Sequence, residues 1–195
     1  MIDRIQALDF LNNKIANKNI LKHMLATEAL MGGVYDVLLG KDNASLGGTR
    51  EEWMMAGLLH DGDYSKEVPF EKQGIQVTDW LKEKGFEIPE NVVHAMAAHN
   101  FNNTKIEPKT KMDWTLFCGD SLTGLIVACA LVMPSKKIAD VTIESIEKKF
   151  KNKSFASGTR REEILMCEQK LNISLHDFIK ICLSSMQNIH QDLGL

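Results

Sequence analysis

Cysteine and proline are both scarce in this chain of 195 residues, which carries four of each. Cys118, Cys129, Cys167 and Cys182 are widely spaced and make no Cys-x-x-Cys pair, which argues against a disulfide framework. Three of them fall in apolar helical patterns and read as small core residues. Alternation of apolar and polar residues, the mark of a half-buried strand, is scarce too. Several site signatures are missing. There is no His-Glu-x-x-His helix and no Gly-x-x-x-x-Gly-Lys loop, and Gly32-Gly33 and Gly47-Gly48 are too short to mean a dinucleotide fold. No base-reading motif is visible, so nucleic acid is not an expected partner. The N-terminus lacks a charged-then-apolar signal region, and the longest apolar stretch, near Leu122–Met133, is too short to span a bilayer. A cytoplasmic protein with no membrane partner is therefore expected.

The composition, 44% hydrophobic and 25% charged, fits one globular domain with an appended subdomain. The formal charge of −3 points to no particular partner, but it is unevenly spread. Pro134 to Arg161 holds eight Lys/Arg against three Asp/Glu, a local +5, which leaves −8 for the remainder. Such a segment either meets phosphates or is a solvated helix face with basic ends.

Apolar residues recur at helical spacing throughout, and the fold class read from them is all-α. A first helix is expected near Asp3–Ala16. A second, over about Ile20–Leu39, is apolar nearly all round and so should be central. Gly40 to Gly48 reads as loop. Thr49-Arg-Glu-Glu52 has the form of a capping box and opens a helix ending at His60-Asp61-Gly62, with Gly62 as a left-handed cap. After the loop Asp63–Phe70, helices are expected at Glu71–Lys84 and from Pro89 to about His99. The polar loop Asn100–Pro108 then leads to a long helix, Lys111–Met133, stopped by Pro134. Ile138–Phe150 is either a helix or irregular, given its β-branched residues. Two further capping signals, Thr159-Arg-Arg-Glu162 and Ser174-Leu-His-Asp177, open helices to about Leu171 and Gln191. A soft boundary near Pro134 separates a core, residues 1–133, from a C-terminal helical extension, residues 134–195. The extension's amphipathic helices could pack on the core or on a second copy of the chain.

The dipeptide His60-Asp61 closes the apolar run Trp53–Leu59. An imidazole beside a carboxylate is half of a divalent-cation site. An Asp at the end of a hydrophobic helix costs several kcal/mol if buried uncompensated, and a cation would compensate it. His23, in a buried helix, and Asp120, in Cys118-Gly-Asp-Ser-Leu-Thr-Gly124, complete the set. Gly119 and Gly124 flank Asp120 and would permit close helix approach. Two His and two Asp around one ion leave positions for water and a substrate oxygen.

His23-Met-Leu-Ala, Gly57-Leu-Leu-His-Asp61 and Gly119-Asp120-Ser-Leu-Thr resemble the motifs of the HD-domain superfamily of metal-dependent phosphohydrolases. The likeness covers about Asn19–Val127, is closest to small, mostly uncharacterised HD hydrolases, and extends to Pro134–Phe155, so that it takes in most of the chain. It implies an HD-like helical bundle and hydrolysis of phosphate esters, often of nucleotides. His23, His60, Asp61 and Asp120 match the four metal ligands. Two-metal members add histidines downstream. His94 and His99 stand where such residues can occur, although five positions apart they lie roughly 140° around a helix. Gln73 stands where another histidine is expected, which casts doubt on a second ion.

On that reading the substrate is a small phosphorylated compound, and the cofactor is one divalent transition metal ion that activates water. Imidazole with carboxylate suits Mn, Fe, Co, Ni or Zn better than Mg or Ca. Asp61 would bind the ion and orient the water. Asp63 is a candidate acid or base, or merely a solvated charge. Lys66, His94 and His99 could neutralise phosphate charge. Thr123 could bond a phosphate or only its own helix. The alternative reading is a regulatory HD module that keeps a metal or phosphate pocket without turnover.

Overall fold

The computed structural model describes residues 2–41 and 46–195. Among them every regular element is a helix, and no strand occurs. The helices are α1 Arg4–Lys14, α2 Lys18–Lys41, α3 Arg50–Leu59, α4 Gln76–Glu83, α5 Glu90–His99, α6 Phe101–Thr104, α7 Lys111–Leu131, α8 Ile143–Lys151, α9 Arg161–Leu171, α10 Leu175–Asn188 and α11 His190–Leu193. Single 3₁₀ turns lie at Phe70–Lys72 and Ile138–Asp140. The loop expected over Gly40–Gly48 falls partly outside the described residues, and α2 reaches Lys41 before it.

Two long helices organise the bundle. α2 packs against α3, α7 and α10, and α7 packs against α2, α5, α8 and α9. One continuous apolar core runs from α1 through α10, so the C-terminal extension shares its core with residues 1–133. α7 is long and apolar enough by composition to cross a bilayer, beyond what its Leu122–Met133 portion indicates. In the fold it is the central helix, with 61% of its most apolar window buried in the protein. All four cysteines are buried and free.

Side-chain caps set most helix starts. Asp3, Thr49, Thr110 and Thr142 each close a reciprocal capping box with the residue three positions on. Each such cap stabilises its helix by about 1 kcal/mol. The Thr142 box explains Ile138–Phe150: a 3₁₀ turn, two extended residues, then a helix.

Three expectations about helix ends are corrected. The helix expected over Glu71–Lys84 is broken, because Gly74 takes a left-handed conformation (φ +87) that only glycine adopts freely. Gly62 is not a left-handed cap. It is present because a Cβ there would lie 2.7 Å from Val77 and 3.0 Å from Leu11. Thr159 does not cap α9. That helix starts one residue late, at Arg161, with Arg160 at the cap and no side-chain cap bond.

Candidate metal centre

Helix approach comes first. A Cβ on Gly57 would sit 2.8 Å from the Thr27 carbonyl oxygen and 2.9 Å from Glu28 Cα, so glycine lets the backbones of α2 and α3 touch. That contact brings His23, on α2, beside His60, which caps α3. Tight turns follow: the Gly62 amide bonds the Leu59 carbonyl and the Tyr64 amide bonds that of Asp61. They hold His60 and Asp61 at the helix end, facing one point. Asp120 comes from the middle of α7, where Gly119 admits Leu30 of α2. Gly124 has no neighbour within 4 Å and opens on the cavity, so only Gly119 serves helix approach.

The donors converge. The Nε2 atoms of His23 and His60 are 3.2 Å apart. Asp61 Oδ2 lies 3.6 Å from each of them. Asp120 Oδ1 lies 2.9 Å from His23 Nε2 and 3.8 Å from His60 Nε2. His23, His60 and Asp61, with donor atoms all within 4.8 Å of one another, form a group that could hold a metal ion. His99, the last residue of α5, adds a third imidazole, its Nε2 3.5 Å from Asp61 Oδ1.

Hydrogen bonds on the far side of each ring fix the tautomers. His60 Nδ1 lies 2.8 Å from the Gly57 carbonyl, which can only accept. His99 Nδ1 likewise donates to the Met96 carbonyl. Thr123 Oγ1 gives its one proton to the Asp120 carbonyl at 2.8 Å and so accepts from His23 Nδ1–H at 3.0 Å. In the neutral rings the Nε2 lone pairs of His23 and His60 therefore face each other and the two carboxylates, and that of His99 faces Asp61. Such a cluster repels itself unless positive charge sits at its centre. Donation of the outer N–H to a carbonyl or hydroxyl is also how metal-binding histidines are commonly held.

The field agrees. Burial pushes the Asp61 carboxyl up, but His60, His99 and His23 outweigh it and hold it down to about 2. Burial likewise opposes ionisation of Asp120, and His23 and His60 hold it well below the usual carboxylate range. Burial lowers His99, and Asp61 and Asp120 more than offset that, so its pKa is raised.

These groups floor a cavity of about 710 Å³, which His23, Asp61, His99 and Asp120 line. Four other expected site residues are elsewhere or otherwise engaged. Asp63 is buried, and its carboxylate accepts the amides of Gly74 (2.9 and 3.0 Å) and Val77 (2.9 Å). It closes the start of α4 and is not placed to trade protons with a substrate. His94 is off the lining and pairs with Asp113 at 3.0 Å, at the start of α7. Lys66 is exposed on the loop after Asp61 and does not line the cavity. Thr123 is fully buried and reaches the site only through His23. Thr123→Val keeps the volume and removes the acceptor for His23 Nδ1–H. Metal affinity is expected to fall roughly 10- to 100-fold, read by calorimetric titration with Mn²⁺.

One charged lining residue escaped sequence reasoning. Arg160 comes in from the α8–α9 connection and donates through Nη2 to Asp120 Oδ2. Its signal was the basic segment Pro134–Arg161, in which Arg160 and Arg161 turn inward. Gln73 lies on the lining, and its amide donates to the Ser65 and Val68 carbonyls, both at 3.3 Å. No protein-family model, curated protein or solved structure matches this chain.

Proposed function

We propose that this protein is a divalent-metal-dependent hydrolase of phosphate esters, of the HD type its motifs resemble. One observation carries the reading: imidazole lone pairs of fixed tautomer converge with two carboxylates on the floor of an open cavity. His23, His60, Asp61 and Asp120 are the residues that would hold the ion. Two nitrogens and two oxygens favour Mn, Fe, Co, Ni or Zn over Mg or Ca. A bound ion there would supply an acidified water and a Lewis acid toward a phosphoryl oxygen.

The chain's own residues do the rest. Asp61 is held from both sides, Oδ2 near His23 and His60 and Oδ1 near His99. Its carboxylate is thereby fixed where it can orient a water against the substrate. Thr123, Gly57 and Met96 fix the three rings. Arg160 brings the guanidinium that faces the cavity.

The test is elemental analysis of purified protein, then a phosphomonoester and nucleotide panel with Mn²⁺, Co²⁺, Ni²⁺, Zn²⁺ and Mg²⁺. One equivalent of transition metal and release of phosphate from at least one ester are expected. Metal without turnover would assign the chain to a binding module. Failure to bind any of these ions would remove the proposal altogether.

A further inference from the structure

We infer that the substrate carries a single terminal phosphate on an uncharged body, and that Arg160 is the residue that takes this phosphate. The inference rests on the phosphohydrolase reading and adds to it the charge class of the substrate.

Charge on the lining is the first argument. Among the described residues, Arg160 is its one Lys or Arg, and Asp61 and Asp120 are its two acids. Counted with neutral imidazoles, the lining carries one net negative charge, which a divalent ion would turn into one net positive. A phosphomonoester dianion fits that field. A triphosphate would bring about two further negative charges and find no second cation on the lining.

The second argument is how Arg160 is held. Its Nε lies 3.2 Å from Ser121 Oγ and 3.0 Å from Glu163 Oε2, and its Nη2 meets Asp120. Nη1 has no partner among the described residues, and the side chain is 37% exposed. A guanidinium presents five donors in a flat fork suited to phosphate oxygens. Here part of the fork is anchored to the metal-site carboxylate and part is open to the cavity.

Its neighbour keeps that fork in place. Arg161 is buried and donates to the carbonyls of Phe150 (2.7 Å), Phe155 (2.6 Å) and Asn152 (3.1 Å). The connection between α8 and α9 is thus stapled from inside, and Arg160 is delivered on a fixed loop.

Other residues of the lining describe the rest of the substrate. Tyr64 and Phe70 line the cavity yet are 49% and 67% exposed, so each offers a flat apolar face. Asn17 and Asn19 stand on the same lining and carry no charge. A neutral body with a flat face and hydrogen-bonding groups, as in a nucleoside monophosphate, matches these residues. The volume, about 710 Å³, lies in the range of small-molecule sites.

The experiment uses the full chain saturated with Mn²⁺. Inorganic phosphate and tripolyphosphate are titrated calorimetrically into wild type and Arg160→Gln. Wild type should bind phosphate at least as tightly as tripolyphosphate, and the variant should lose phosphate affinity by at least ~10-fold. A second readout needs no variant: phosphate should slow modification of Arg160 by phenylglyoxal in the wild-type protein, followed by mass spectrometry. Tighter binding of tripolyphosphate, unchanged phosphate affinity in a folded Arg160→Gln, or an unprotected Arg160 at saturating phosphate would each overturn the inference. All three leave the metal reading intact. Failure of the wild type to take up Mn²⁺ would instead strike the phosphohydrolase reading itself.

Discussion

Asp61→Asn is expected to empty the proposed ion site and, with it, to abolish the proposed turnover. The exchange keeps side-chain volume and replaces the carboxylate that faces both imidazoles at 3.6 Å by a neutral amide. Loss of a residue that merely orients a metal ligand costs roughly 10- to 100-fold, so neutralising a candidate ligand itself should cost more than ~100-fold in metal affinity. Elemental analysis of the purified variant and steady-state rates with saturating Mn²⁺ check this. A variant with a full equivalent of metal and wild-type rates would end the catalytic account. Acid melting of the metal-free proteins gives an independent signature. Asp61 sits at about 2 in the fold against an ordinary value of 3.8. Its ionised form therefore stabilises the fold fully above about pH 4, and that contribution is lost as the pH falls toward 2. The amide of the variant does not ionise and makes no such contribution, so the stability lead of wild type over variant should shrink across that interval.

Gly57→Ala strikes the fold and the site together. The added methyl would stand 2.8 Å from a backbone oxygen and 2.9 Å from a Cα of α2, neither of which can rotate away. The two helices must part. Overpacking of this kind costs about 3 kcal/mol, which for a chain of this length lowers Tm by roughly 10 °C. The parting also separates His23 from His60, whose Nε2 atoms are now 3.2 Å apart. Thermal unfolding and Mn²⁺ titration on one sample separate the two effects. An unchanged Tm would mean that α2 and α3 yield more easily than their backbone contact implies.

The all-α class was legible because helical periodicity is a local pattern. So were the caps at Thr49 and Ser174, where signal and partner lie three residues apart. That His23, His60 and Asp61, with Asp120 beside them, come together was legible from charged groups placed in apolar runs. What failed depended on distant chain. Asp63 looked like a free loop carboxylate because its partners are the amides of residues 74 and 77, outside any local pattern. Thr159-Arg-Arg-Glu162 matched a capping box, but Arg161 is drawn inside by carbonyls of the α8–α9 connection, and the helix starts late. The same misreading hid Arg160, whose partner Asp120 lies 40 residues earlier. Gly62 looked like a turn glycine because its packing against Val77 and Leu11 cannot be seen along the chain. His94 lies on the same helix as His99, and only the start of α7, where Asp113 waits, shows why it is not at the cavity.

The candidate donors sit on helices of the core or in the turn that closes α3, whereas Arg160 stands on a connection between two helices of the extension. Connections accept sequence change far more readily than packed helices do. Relatives of this chain could thus acquire new substrate preferences by rewriting residues 152–160 while the ion-holding scaffold stays as it is. On the proposed function, selectivity and chemistry would then drift independently.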